Sequence, residues 1–510
     1  EELGYRYLWP GETGKVIPQR ADVVVGPLDK RFSPPIALRH IRWQPGVPRG
    51  FQEGMASLGY TPEDWRSRRA EALKTVSPIS WTDWHGNNIE AVGPMGGHNG
   101  AGLGPHAKEA LKEHPEWGAL QADGTRDQSK AGERFRLCVS NPELAAYVAE
   151  LILKKVKESP NTASYSLSPQ DGGYSSFCMC ENCKKLDPPE APKVRILLFT
   201  KVGQSARREI EYPALTDRYV HYWNAVAARV AAAHPKLGLV VDAYSAYATP
   251  PVREKLHPSL VVRYVPSDVA GWEGWKAAGA TRIFWRPNNL HSGYREATIN
   301  YAADARRIAD TMNRLAEGGI IGTDMQGIYD NWATQGLNYY VAARTTWNPA
   351  LKYEDILEDY CRSGFGAGAE SVRQYFLKAE ALGRTFEKAT PEAMTGLKAE
   401  LDAAAKAAAG DPAAGARIAF LRTGLDYSAA TAQAARLRLA AQQGEAFDRA
   451  RAAAVLDRRH RMMREMFRTS FLAVNVSVVA GQDGVAWREL GWRGPGRTAR
   501  DDAPAGTGDD

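Results

Sequence analysis

From about Ile36 to Ile328 the chain repeats one rhythm: a short apolar or β-branched run, a polar turn rich in Gly, Asn and Pro, then a stretch with helical spacing. The runs that read as strands are Ile36–Trp43, Ile79–Trp84, Phe135–Val139, Ala163–Ser168, Leu239–Tyr244, Val261–Val265, Thr281–Trp285 and Gly319–Thr323. Between them, Pro142–Lys157 carries apolar residues at helical spacing behind Asn141, a good N-cap. Leu215–His234 and Tyr301–Ala316 have the same character. Parallel strands need helical crossovers, so eight strands alternating with helices predict an α/β fold, a (β/α)8 TIM barrel. A doubly wound open sheet is the competitor, but no Gly-rich phosphate loop follows the first strand.

After about Lys352 the pattern changes. Tyr353–Ala369 and Glu370–Arg384 read as helices, and Pro391–Arg468 is rich in Ala, Leu and Arg with few breaks. This predicts a helical bundle of about four helices following the barrel. The expected division is a barrel over 31–350, a helical region over 351–475 and a tail over 476–510. Arg493 to Asp510 is mostly Gly, Pro, Asp, Arg and Thr, with nothing to bury, and reads as disordered.

Composition narrows the functional class. Lys and Arg total 65 against 59 Asp and Glu, a net charge of +6 over 510 residues, too dilute to be a footprint for nucleic acid. No run approaches 18 consecutive apolar residues, so no membrane-spanning helix is expected. The chain opens on EELGYRYLWPG without a basic-then-apolar leader. The aromatic content, 14 Trp, 21 Tyr and 13 Phe, has two readings. Such rings fill a large core, or they line a concave site and stack on the flat faces of sugars.

In a barrel, functional groups sit on the loops after the strand C-termini. After the second strand come Trp81, His85 and, further on, His98, in Gly- and Asn-rich sequence suited to hydrogen-bonding hydroxyls. After the fourth comes Ser168-Pro169-Gln170-Asp171-Gly172-Gly173, whose Asp171 is placed either for acid/base work or as an ordinary Asx turn. Tyr244 and Tyr247 follow the fifth strand, Trp285, Arg286 and Asn288 the seventh, and Asp324, Gln326 and Trp332 the eighth. These residues are the expected substrate contacts, with Asp171 and Asp324 as the expected catalytic carboxylates facing each other across the mouth. Two carboxylates flanking a glycosidic bond are what glycoside hydrolysis requires. For a 2-acetamido sugar the substrate carbonyl can itself be the nucleophile, and the enzyme supplies an acid and a polarising carboxylate. Asp268 is a third candidate. No cofactor is expected for catalysis.

Three of the five cysteines crowd into Cys178-Met179-Cys180-Glu181-Asn182-Cys183. With Cys138 as fourth ligand this spacing suits a structural zinc. A disulfide in an oxidising compartment, or inert thiols, are the other readings.

Several motifs carry a family resemblance. The opening LGYRYLWPGETGKVIP resembles the end of the small α/β domain that precedes the barrel in α-glucuronidase-like glycosidases, which makes 1–30 the remnant of such a domain or a linker. His114-Pro115-Glu116-Trp117, Asp123-Gly124-Thr125-Arg126, Leu137-Cys138-Val139-Ser140-Asn141-Pro142, Asp171, the cysteine cluster, Gly336-Leu337-Asn338-Tyr339-Tyr340 and Thr346-Trp347-Asn348-Pro349 follow in order. Together they resemble the bacterial family of domain-of-unknown-function number 4838, part of which is classed as glycoside hydrolase family 163. The likeness runs from residue 1 to about residue 380. It implies a barrel glycosidase, in the characterised branch a retaining endo-β-N-acetylglucosaminidase acting on complex N-glycans, secreted or periplasmic. Asp171 matches the family's acidic position after strand four. Relatives tend to carry a Glu after strand eight, where this chain has Met325-Gln326 beside Asp324. That departure leaves a second reading open, a non-catalytic glycan-binding protein on the same barrel. A scaffold using its helical region is a third.

Overall fold

Six parallel strands form the central sheet of the computed structural model: β3 (Leu38–Trp43), β4 (Ser164–Ser166), β7 (Gly238–Ala243), β8 (Leu260–Tyr264), β9 (Ile283–Trp285) and β10 (Gly322–Ile328). They lie in the order β3-β10-β9-β8-β7-β4, and every pairing is parallel. Within this sheet the first strand in sequence, β3, is thus hydrogen-bonded to the last, β10. The result is a mixed α/β fold built on a six-stranded parallel half-barrel. The structure describes residues 3–19, 22–24, 26–27, 29, 31–43, 56, 59, 61–64, 66–67, 70, 84, 100–127, 135–170, 177–199, 207–288, 304–328, 331–383, 389–446, 448–469, 472–476, 479–480 and 490–492.

Six of the eight expected strands are these six. Ile79–Trp84 lies outside the described residues except for Trp84. Phe135–Val139 does not pair with the sheet among the described residues. Its backbone is taken up locally, with Leu137 bridged antiparallel to Gly118 and the Cys138 amide donating to the Trp117 carbonyl at 2.8 Å. Two elements went unexpected: an antiparallel hairpin of β5 (Lys193–Phe199) and β6 (Arg207–Pro213), and the small antiparallel pair β1 (Arg6–Tyr7) and β2 (Lys15–Val16).

Helices lie in the crossovers except that between β7 and β8, which has only a 3-10 turn at Ser245–Tyr247: α1 (Ala107–Glu113), α2 (Pro142–Glu158), the short α3 (Glu181–Lys185), α4 (Thr216–Ala233), α5 (Trp272–Ala277) and α6 (Ala305–Glu317). The Asn141 side chain does cap α2, accepting from the amides of Glu143 and Leu144. Next comes α7 (Trp332–Trp347), buried nearly all round. Then follow α8 (Tyr353–Phe365), α9 (Ala369–Leu382), α10 (Pro391–Ala407), α11 (Pro412–Gln442) and α12 (Arg449–Thr469). The break between α8 and α9 falls at Gly366, whose φ of 52° takes the chain into the left-handed region where glycine fits without strain.

Strand alternation sorts side chains onto two faces. Leu239, Val241, Val262, Ile283 and Trp285 join the large core shared with the helices, whereas Val240, Val261 and Phe284 form a small separate cluster. That second, inner face carries the site.

Candidate functional site at the C-terminal ends of the strands

Stepping two residues toward the C-terminal end of each strand keeps the side chain on the same face. From Val240 and Val261 that step reaches Asp242 and Arg263, which are register partners. Gly322 pairs with Phe284, so two residues on, Asp324 occupies the inner face as well, level with His40 on β3. An apolar floor therefore gives way to a charged layer toward the end of the sheet where parallel α/β folds place their ligands.

Each carboxylate in the layer is held. Asp242 and Arg263 are about 1 and 2% exposed and form a bidentate pair, Nε to Oδ1 at 2.5 Å and Nη2 to Oδ2 at 2.6 Å. Asp324 is fully buried. Arg42 donates to it twice, Nε to Oδ1 at 2.8 Å and Nη2 to Oδ2 at 2.5 Å, and His40 Nδ1 lies 3.1 Å from Oδ1. Burial opposes the ionised form of Asp324. The His40 and Arg42 hydrogen bonds and charges outweigh it and bring its pKa down to about 2. Asp324 is thus a permanent carboxylate, unsuited to giving up a proton near neutrality. Arg42 and His40 reach past it and keep 31 and 26% of their side-chain surface exposed.

Arg286 follows β9, and its amide continues the ladder by donating to the Tyr264 carbonyl at 2.8 Å. Its guanidinium donates to Asn288 Oδ1 at 2.6 Å, while its buried Nε has no partner among the described residues. Burial first, then the nearby Arg263 charge, lowers its pKa from the usual arginine value. Tyr244, two residues past Asp242, is half-buried at the same end, and the next residue, Ser245, has a left-handed φ of 53°. Arg286, Asn288, Tyr244 and Asp324 therefore all stand toward or just beyond the C-terminal ends of the strands.

Other expected contacts are placed differently. Trp285 belongs to the opposite face and is fully buried, its indole N–H donating to the Pro266 carbonyl at 2.9 Å. Tyr247 is buried against Tyr219, with ring centroids 4.7 Å apart. Trp332 is fully buried edge-on to Trp84 at 4.9 Å and to Tyr339 at 5.0 Å. These three rings, expected as substrate contacts, are buried in packing among the described residues. Asp268 is exposed and closes an Asx turn, accepting from the Ala270 amide at 2.9 Å. It borders an open cleft of about 660 Å³ lined also by Arg306, Arg307 and Glu380. Asp171, Trp81, His85 and His98 lie outside the described residues, as does the side chain of Gln326. Next to Asp171, the Gln170 carbonyl accepts from the buried Arg136 at 2.6 Å.

The four cysteines meet. The Sγ atoms of Cys138, Cys178, Cys180 and Cys183 all lie within 4.8 Å of one another, an arrangement able to hold a metal ion. None is disulfide-bonded. Hydrogen bonds from Cys178 and Cys183 pull the Cys138 thiol well below the ordinary thiol range.

The family described as "Domain of unknown function (DUF4838)" matches residues 9–378, which include the whole sheet and the helices through α8. The chain belongs to this family. Among solved structures it is similar to a "Family 89 Glycoside Hydrolase from Clostridium perfringens in complex with PUGNAc", at 10% identity and a TM-score of 0.39. That likeness covers 87% of this chain and 59% of the other, so the chain spans less than two thirds of its length. No curated protein matches.

Sequence reading missed Asp242, Arg263, His40 and Arg42. A signal was present: single charges at alternate positions in otherwise apolar strand sequences, VVDAY, VVRYV and ALRHIRW.

Proposed function

We propose that the protein is a glycoside hydrolase whose six described strands belong to a (β/α)8 barrel, with the substrate held over the charged layer at its mouth. The observation that carries this reading is the caged carboxylate Asp324. Desolvated charges inside a sheet are costly next to apolar packing of the same volume, so an inner face that keeps the buried charges of Asp242, Arg263 and Asp324 just above an apolar floor is built for a ligand. The family resemblance supplies the reaction class, and the 2-acetamido sugars of complex N-glycans are the first substrates to try, with the enzyme secreted or periplasmic.

The roles divide by electrostatics. A glycosidase acid must hold its proton near working pH, which calls for a raised pKa. Asp324 has the reverse. In this reading it is the fixed negative charge that orients Arg42 and His40 toward the substrate and favours positive charge developing at the anomeric carbon. Asp171, beside the Gln170 carbonyl held by Arg136, is assigned as the acid. Arg286, half-buried at the strand ends, supplies a guanidinium donor for a substrate oxygen, and Tyr244 stands at the same end of the sheet. No cofactor enters these steps.

Product release from a panel of N-glycans, glycosaminoglycan fragments and plant or algal polysaccharides tests the proposal. Wild-type protein is expected to release oligosaccharide from at least one class. Asp171→Asn should lower turnover by about 10²–10⁴-fold with an unchanged circular dichroism spectrum. Undiminished turnover in that variant would remove Asp171 from the reaction. Met325-Gln326, standing where relatives tend to carry a Glu, favours a second reading, glycan binding without hydrolysis. Its signature is affinity that survives Asp171→Asn, falls with Arg286→Met, and comes with no product from any substrate.

A further inference from the structure

Three separate stretches of chain converge on the cysteine cluster. Cys138 follows Leu137, the residue bridged to Gly118. The amide of Leu120 donates to Cys178 Sγ at 3.3 Å, and the amide of Met179 returns a bond to the Leu120 carbonyl at 3.0 Å. Cys180 precedes α3, and its sulfur accepts from the Cys183 amide at 3.4 Å. Amide-to-sulfur bonds of this kind stabilise thiolates, and they fix where each sulfur points. From outside, Arg218 on α4 donates to the Cys178 carbonyl at 2.8 Å and pairs with Asp187, so the far side of the loop is anchored too.

The spacing of the sulfurs selects among the readings. Cys138 Sγ lies 3.7 Å from Cys180 Sγ and 4.0 Å from Cys183 Sγ. A disulfide needs about 2.05 Å. Four thiolates at the corners of a tetrahedron around one zinc, each about 2.3 Å from it, stand about 3.8 Å apart. An iron–sulfur cluster would hold its four cysteines farther apart as a set, because they are divided among two or four iron atoms. Three of the four side chains are buried, Cys183 fully, and four thiolates complete a tetrahedral zinc site with no position left for water. Arg126, which hydrogen-bonds Cys138, supplies positive charge next to a site whose net charge with zinc would be about −2.

We infer that Cys138, Cys178, Cys180 and Cys183 form a closed, structural Zn²⁺ site that ties the segment around Trp117–Leu120 to the chain emerging from the loop after β4. Cys178 stands seven positions after Asp171, so the metal fixes the exit of the loop that carries the proposed acid. The ligand set stands whether or not the protein is a glycosidase; only that last consequence rests on the proposed function.

The test uses the full chain and reads the metal itself. Plasma emission analysis should find one zinc per chain. Replacement by Co²⁺ should give the intense visible bands and near-ultraviolet sulfur-to-cobalt charge transfer of a tetrahedral thiolate site. Cys180→Ser should lose the metal, and Cys180→His, which keeps a ligand, should retain it if the serine variant does not fold. Stripping the metal should accelerate amide exchange in Trp117–Leu120 and Phe177–Leu186 together. Purified and zinc-reconstituted protein that holds no metal would overturn the inference, as would disulfides among these cysteines in the native protein. Cobalt spectra of octahedral oxygen or nitrogen ligation would also overturn it.

Discussion

At the scale of single residues, the chemistry of the mouth follows from what surrounds each charge. Asp324 is buried, yet its carboxyl stays ionised because Arg42 and His40 hold it. Its folded pKa, about 2, lies below the unfolded value of 3.8, so folding gains stability from ionised Asp324. That gain is complete above pH 3.8 and disappears as pH falls through about 2, and it amounts to roughly 2 kcal/mol. Unfolding free energies of wild type and Asp324→Asn should therefore differ by a constant amount from neutrality down to about pH 4, and converge below it. A difference that does not change with pH would refute the assigned ionisation. Residue identity alone does not reveal this cage. Asp324 drew notice as a carboxylate near a strand end, but its two partners sit 284 and 282 positions away and only strand register brings them together. The cysteines were easier to read, because C-x-C-x-x-C places three sulfurs within one turn of chain.

At the scale of elements, strands were legible wherever both faces are buried. VVDAY and VVRYV stand out as β-branched runs, and their positions on β7 and β8 agree with expectation to within a residue or two. Helix α7 was not legible. With nearly every side of it covered, including Gly336, Asn338 and Thr345, it has no polar stripe to reveal a helical period. The aromatic residues misled for a related reason. Trp285 and Tyr247 stand among turn-forming residues, which suggests exposure, but the helices outside a parallel sheet cover its outer face to the very ends of the strands. The Asp242–Arg263 pair links two neighbouring strands inside the charged layer. Replacing Arg263 by Ala leaves a buried, uncompensated carboxylate and should cost about 3–5 kcal/mol in chemical denaturation. Replacing both, as Asp242→Leu with Arg263→Met, should recover most of that. A double variant as unstable as the single one would mean the pair does more than neutralise itself.

At the scale of the whole molecule, one core runs from the first described residues to the bundle. Tyr7, Leu8 and Trp9 share it with the sheet and with α8 to α11, and Trp9 stacks on Phe420 at 5.0 Å. Arg6 grips Asp359 with two bonds of 2.7 and 2.8 Å. Arg417 on α11 donates to the carbonyls of Thr13, Lys15 and Gly364 at 2.8, 2.6 and 2.9 Å, joining the N-terminal pair, α8 and α11 at one point. Arg417→Ala strands three carbonyls in a buried setting and should lower stability by on the order of 3 kcal/mol. A single cooperative melt at lower temperature, followed by tryptophan fluorescence, is the expected result; separate melting of the N-terminal pair would show that it is not integral. Within 1–30, expected as the end of an N-terminal α/β domain or a linker, Tyr5–Val16 packs against this core, which periodicity alone does not show in so short a stretch. The pairing of β10 with β3 has a further consequence during synthesis. As the ribosome releases the chain, β3 emerges long before its neighbour exists, and no shorter nascent chain can complete that edge. Arg42 and His40 wait without their carboxylate until more than 280 further residues have been made, so the charged layer is assembled only when the last strand of the sheet joins the first.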